Sequence, residues 1–203
     1  MTAETEAIQA VFPDLADAMS EAVGALATYL DAARAAAAET LAPSGKPDRK
    51  AFDQHQHMAH GFSWTATYVE TLRQVAEWAG RLSADNAFGP AEQVFSQILF
   101  GEYCAQLSGG IPMTQTELIR PAELGLDADA LSALNHPAIL RFARHGKTQA
   151  SLAAAAALLP QALDRATVEN TGLDETLRMV REQFHRFAND KVCLLYTSDA
   201  ADE

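Results

Sequence analysis

The side chains best suited to chemistry are gathered in His55-Gln56-His57-Met58-Ala59-His60, three imidazoles within six residues. Imidazole nitrogens bind zinc, iron and copper, and a helix would bring His57 and His60 to one face at a spacing of three. On the same helix His55 points elsewhere. No Glu-x-x-His pair of the type that builds carboxylate-bridged di-iron centres accompanies the cluster. The spacing favours a hydrogen-bonded or solvated histidine-rich helix start over a metal site, and no metal ligand is assigned.

Other reactive combinations fare no better. The chain has no glycine-rich phosphate loop, no G-x-S-x-G elbow and no cysteine with an arranged histidine partner. The acidic pairs Asp14/Asp17 and Glu4/Glu6 read as solvated helix faces rather than acid/base dyads. Ser108-Gly109-Gly110 suits a helix C-cap better than a close backbone approach. Cys104 sits in an apolar run and reads as a small buried hydrophobe. No catalytic, cofactor-binding or metal residue is therefore assigned.

The elements that would position any such group are helices. After Pro13-Asp14, Leu15, Met19, Val23, Leu26 and Leu30 recur every three or four residues, one apolar stripe that fades into alanines 35–38 and ends at the Pro- and Gly-containing loop 42–47. A second helix is expected from about Arg49 to Leu82, bent near Gly61, burying Tyr68, Leu72, Val75 and Ala79, with Trp64 and Trp78 adding apolar surface. Pro90 opens a third, where its missing N–H costs nothing, and Gly109-Gly110 close it after Val94, Ile98, Leu99, Tyr103 and Leu107. Residues 111–126 contain two prolines and no sustained period, which predicts an ordered connection with a short helical turn; Thr114-Gln115-Thr116-Glu117 has the form of a capping box. Helices over 127–134, 137–145, 148–163 and from Asp174 onward follow. No segment alternates with β-branched or aromatic enrichment, so the fold class is all-α, a multi-helix bundle packed through apolar stripes.

The last residues, Cys193 to Glu203, follow an amphipathic stretch without a stop signal. In frame the string resembles a transposase-type sequencing-library adapter, so 193–203 is set aside as non-native. That removes Asp199, Asp202 and Glu203, leaving 15 basic against 24 acidic residues and a formal charge of −9 instead of −12. An acidic surface without Lys/Arg blocks repels phosphate backbones and anionic lipid, which disfavours nucleic-acid and membrane partners. The alanine run 151–159 is too short to cross a bilayer. An acidic N-terminus carries no secretory signal, and Cys104 alone remains of the cysteines, so a reducing cytoplasm is the expected compartment.

Two stretches carry a resemblance. His60-Gly61-Phe62-Ser63-Trp64-Thr65-Ala66-Thr67-Tyr68-Val69-Glu70-Thr71-Leu72-Arg73, with Phe100-Gly101-Glu102-Tyr103-Cys104-Ala105-Gln106-Leu107-Ser108-Gly109-Gly110-Ile111-Pro112-Met113, resembles the N-terminal extension of the methylsuccinyl-CoA dehydrogenase branch of the acyl-CoA dehydrogenases. Leu177-Arg178-Met179-Val180-Arg181-Glu182-Gln183-Phe184-His185-Arg186-Phe187, continuing to Val192, is similar to the opening helix of that family's N-terminal domain. The resemblance implies a division into a helical extension over 1–172, a first family helix over 173–192 and the adapter tail over 193–203. It implies a parent enzyme that oxidises an acyl-CoA between its α and β carbons, with FAD as hydride acceptor and a glutamate base. That parent is expected to be a homo-oligomer, with the remainder of its chain and the acyl-CoA as partners. The family's flavin-binding and base-bearing domains would lie beyond Val192, so this piece is expected to be a truncated packing and oligomerisation element without its own active site. The alternative left open is a free-standing helical bundle that binds a partner or a metal.

Overall fold

The computed structural model describes residues 3–159 and 172–192, which fall in two units, taken separately below. In the first, α1 (Ala3–Gln9) precedes the long α2 (Leu15–Leu41), followed by α3 (Arg49–Gln54), α4 (Gln56–Ala84) and α5 (Pro90–Gly109). A ribbon of β1 (Ile111–Pro112) and β2 (Leu118–Ile119) leads through a 3-10 turn, Pro121–Leu124, to α6 (Ala128–Ser132), α7 (Pro137–His145) and α8 (Gln149–Leu158). The protein is an all-α multi-helix bundle.

The stripe of α2 is broader than the large residues alone suggest. Leu15, Met19 and Leu26 are buried as expected, but Val23 and Leu30 are only partly so, and Ala18, Ala22 and Ala33 take the centre of the face with Tyr29. Small side chains there let α4 lie close along α2, where it buries Tyr68, Val69, Leu72 and Ala79.

The single helix expected over 49–82 is two. Asp48 caps α3 by accepting from the backbone N–H groups of Lys50 (2.8 Å) and Ala51 (3.5 Å), and the chain breaks at His55 (φ −120°, ψ 34°) before α4 begins. The bend therefore falls six residues before Gly61. Gly61 stays helical and serves another purpose: a Cβ there would stand 2.3 Å from Ile119 Cγ1, so its absence lets β2 seat on α4. Gly61→Ala is expected to cost about 1–3 kcal/mol through overpacking. Gly80→Ala, with open space around its missing Cβ, is expected to add roughly 0.5–1 kcal/mol through helix propensity. Urea denaturation of the two variants checks this opposition of sign.

Pro90 does open α5 and Gly110 closes it, with φ 133° and its N–H donating to the Gln106 carbonyl at 2.7 Å. The connection after it corrects two expectations. Ile111 and Pro112 pair antiparallel with Ile119 and Leu118, a ladder too short to leave an alternating pattern in sequence. The supposed capping box starts no helix. Thr114 Oγ1 accepts from the N–H groups of Thr116 (3.3 Å) and Glu117 (3.1 Å), which closes the turn of the ribbon and releases the Glu117 side chain.

Asp127 and Thr148 cap α6 and α8 through Ala130 N (2.8 Å) and Ser151 N (3.1 Å). The helix expected over 148–163 ends at Leu158; residues 160–163 lie outside the described residues, as do 193–203. The principal core joins α2, α4, α5 and α7, with Phe100 and Phe142 fully buried, their ring centroids 4.9 Å apart. A smaller cluster, Ala7, Val94, Ala154, Ala155 and Leu158, fastens α1 and α8 to α5.

The second unit contains α9 (Glu175–Phe187), capped by Asp174 through Leu177 N (2.8 Å) and continued by a wider π turn over Ala188–Val192. Leu177, Val180, Phe184 and Phe187 fall on one face at i, i+3, i+7 and i+10, and all four are exposed.

Candidate functional site

The break at His55 and the release of Glu117 bring together groups that sequence spacing keeps 60 residues apart. His57 Nδ1 lies 3.2 Å from Glu117 Oε1, and its Nε2 lies 3.8 Å from Glu123 Oε1. His60 follows on the same face, with Nδ1 3.9 Å from Glu117 Oε2. Its other nitrogen accepts a hydrogen bond from Trp64 Nε1–H at 2.9 Å. That bond needs a lone pair on His60 Nε2, so the neutral ring carries its proton on Nδ1, facing the carboxylate. The arrangement sets two imidazoles against two carboxylates, with His57–Glu117 the hydrogen-bonded pair among these contacts. Among the described residues, no group of three or more His, Cys, Asp or Glu side chains is placed to hold a metal ion. His55 stands apart at the helix break, as its spacing suggested.

An aromatic series continues along α4 from this cluster. Trp64 meets His60 and Tyr68 edge-on, with centroids 6.3 and 6.2 Å apart, and Tyr68 stacks on Tyr103 of α5 at 4.0 Å. Tyr68 O–H donates to Gln106 Oε1 (2.6 Å), Gln106 Nε2 to Glu102 Oε1 (2.5 Å), and Lys147 Nζ to Glu102 Oε2 (2.6 Å). The lysine holds the Glu102 carboxyl below its ordinary value, whereas burial, with Tyr103 and Glu102 nearby, raises the Tyr68 phenol. A chain of hydrogen bonds running from a carboxylate to a phenol ties α4, α5 and the turn before α8 together. Sequence reading assigned Tyr103 to an apolar face and gave Glu102 and Gln106 no role. Their i, i+4 spacing was the available signal.

Asp14 and Asp17 separate. Asp17 remains exposed in the first turn of α2, but Asp14 receives both Arg141 Nη1 and Nη2 at 2.7 Å, and the guanidinium lies 4.1 Å over the Phe12 ring. The Arg141 bonds lower the Asp14 pKa, and the pair pins α2 to α7. A carboxyl whose folded pKa lies below its unfolded one contributes stability that is present above the unfolded value, here 3.8, and lost as pH falls through the lower folded value. Asp14→Asn is accordingly expected to lower Tm at neutral pH and to match the parent progressively as pH falls below 3.8; melts from neutral pH down through that value measure the difference. Glu4 and Glu6 lie on α1, their side chains outside those described.

Cys104 is fully buried in α5, and burial pushes its thiol up to about 12. It is expected to resist alkylation at neutral pH until the fold opens, so modification of that peptide followed by mass spectrometry should track global unfolding in urea. Ser108-Gly109-Gly110 forms the C-cap of α5, with the Ser108 hydroxyl buried and unpartnered. The outer face of α4 between Ala66 and Arg81 lines a shallow open groove of about 720 Å³ that includes Glu70, Gln74 and Trp78. No described helix is long and apolar enough to cross a membrane.

No protein-family model matches the chain. Over 186 residues, 91% of its length, it is 42% identical to the (2S)-methylsuccinyl-CoA dehydrogenase of Cereibacter sphaeroides, and it spans 33% of that protein. The alignment takes in the first two stretches that carried the resemblance, 28 residues well inside the chain, for 186 of 203 residues leave at most 17 unmatched. The chain is thus similar, over nine tenths of its length, to about one third of a methylsuccinyl-CoA dehydrogenase.

Proposed function

We propose that the chain is the helical N-terminal part of a flavin-dependent acyl-CoA dehydrogenase, one whose complete form oxidises the α,β carbons of a short branched or dicarboxylic acyl-CoA such as methylsuccinyl-CoA. The observation that carries this reading is the 42% identity over 91% of the chain. In this reading 1–172 is the helical extension, 173–192 the first helix of the family's N-terminal domain, and the enzyme a cytoplasmic homo-oligomer.

FAD would be held elsewhere in the enzyme. No step of the reaction is assigned to the described residues. Their contribution would be mechanical. The α9 stripe supports this: a 13-residue helix is marginal in isolation, and four large apolar side chains on its open face ask for protein to cover them.

A free-standing bundle that binds metal is less well supported, because the nitrogens of His57 face two carboxylates and His60 Nε2 is engaged by Trp64. Amplifying the source gene past the codon for Val192 separates the readings. A frame that runs on for roughly twice the present length supports the dehydrogenase, and a stop codon within a few residues contradicts it.

A further inference from the structure

Helix α8 reads Gln-Ala-Ser-Leu-Ala-Ala-Ala-Ala-Ala-Leu, ten residues without a charge. A helix that is apolar all round belongs between two protein layers. Its inner face obeys: Ser151, Ala154, Ala155 and Leu158 are buried against α1 and α5. Its outer face does not. Leu152 (40% exposed), Ala153, Ala156 and Leu159 (49% exposed) follow one another along the other side and stand open. By contrast the long helices α2 and α4 carry charged side chains on their open sides, Asp31 and Arg34 on α2 and Glu70 and Glu77 on α4.

We infer that the outer face of α8 is the docking surface for polypeptide that follows Val192 in the longer enzyme, an inference that rests on the reading proposed above. Two observations select this occupant. The matched region is only 33% of the related dehydrogenase, so about two thirds of such a chain lies outside it. The open face of a ten-residue helix offers on the order of a few hundred Å², well under the roughly 800 Å² per partner that a stable association of separate molecules requires. A segment of the same chain needs less, because its docking is intramolecular and the overall translational freedom of a second molecule is not lost. The alanines at 153 and 156 would let a helix or strand backbone come close, with Leu152 and Leu159 closing the two ends of the contact.

The test places a thiol on the face. Ala156→Cys is made in the 203-residue chain, with Cys193 replaced by Ser, and in the complete enzyme; Lys46→Cys, in the exposed loop between α2 and α3, is the reference, and Leu152→Cys repeats the measurement should Ala156→Cys perturb folding. Alkylation is followed peptide by peptide with mass spectrometry. Expected are an Ala156→Cys rate at least tenfold slower in the complete enzyme than in the 203-residue chain, and a Lys46→Cys rate that is unchanged. Equal Ala156→Cys rates in an enzyme that still oxidises acyl-CoA would overturn the docking inference and leave the functional reading intact. Protection already present in the 203-residue chain, and growing with its concentration, would assign the face to a second copy instead. Absence of any acyl-CoA oxidation by the complete product would overturn the functional reading itself.

Discussion

Gln97→Leu is expected to destabilise the chain by about 2–5 kcal/mol, because it removes the partners of two half-buried backbone groups, Phe12 N–H and the Ala10 carbonyl. Gln97 is fully buried in α5. Its Oε1 accepts from Phe12 N–H at 2.7 Å, and its Nε2 donates to the Ala10 carbonyl at 2.9 Å and reaches the Gly146 carbonyl at 3.4 Å. One amide thus closes the link between α1 and α2 and touches the turn between α7 and α8. Leucine keeps the volume and removes every bond. Gly146 still receives the Ser151 hydroxyl at 3.2 Å, so the loss falls on Phe12 N–H and the Ala10 carbonyl. Gln97→Glu should be no better, since a carboxylate retains the acceptor for Phe12 but turns its second oxygen toward two carbonyls. Urea midpoints of the three proteins measure it; a Leu variant within 1 kcal/mol of the parent would show that water or a backbone shift replaces the amide.

Gly101→Val is expected to be more disruptive still, at about 3 kcal/mol or above, and to prevent folding if the parent is itself marginal. A Cβ at 101 would stand 2.4 Å from Lys147 N and 2.7 Å from Gly146 C, and one at 146 would stand 2.6 Å from Gly101 Cα. Backbone meets backbone there, so no side chain can rotate away to relieve the contact. The two glycines let α5 touch the turn after α7, which brings Lys147 to Glu102 and seats Gln97 under Gly146. Gly146→Ala should fail similarly, whereas Gly24→Ala on α2, with nothing near its missing Cβ, should not. Circular dichroism melts of the three variants distinguish this close approach from a general intolerance of substitution.

Both sites show where sequence reading stops. The helices over 15–41, 90–109 and 137–145 were legible because each is long or flanked by a cap or proline whose effect is local. Gly101 was quoted as part of a resemblance, yet nothing local tells that its missing Cβ is filled by a turn 45 positions later. Gln97 sits between apolar neighbours and looks like an exposed helix residue until α1 folds over it. The break at His55 was misplaced to Gly61 because a glycine inside a helix suggests a bend, whereas here tertiary contact with Ile119 gives it a packing role. The histidine cluster was found, but its partners Glu117 and Glu123 belong to a ribbon turn and a 3-10 turn that leave no periodic signal. Asp14 was read as solvated for the same reason: its partner, Arg141, is 127 residues away.

The fold accounts for the interior of this region and leaves two apolar faces, on α8 and α9, whose coverage follows if the chain continues into a larger enzyme. We propose that this continuation is an acyl-CoA dehydrogenase. The most direct measurement is to express the uninterrupted gene, purify its product and add methylsuccinyl-CoA without oxygen while recording the visible spectrum. A yellow protein is expected, its bound flavin bleached by the substrate with formation of the α,β-unsaturated thioester. A colourless product, or a flavin that no short branched or dicarboxylic acyl-CoA reduces, would contradict it.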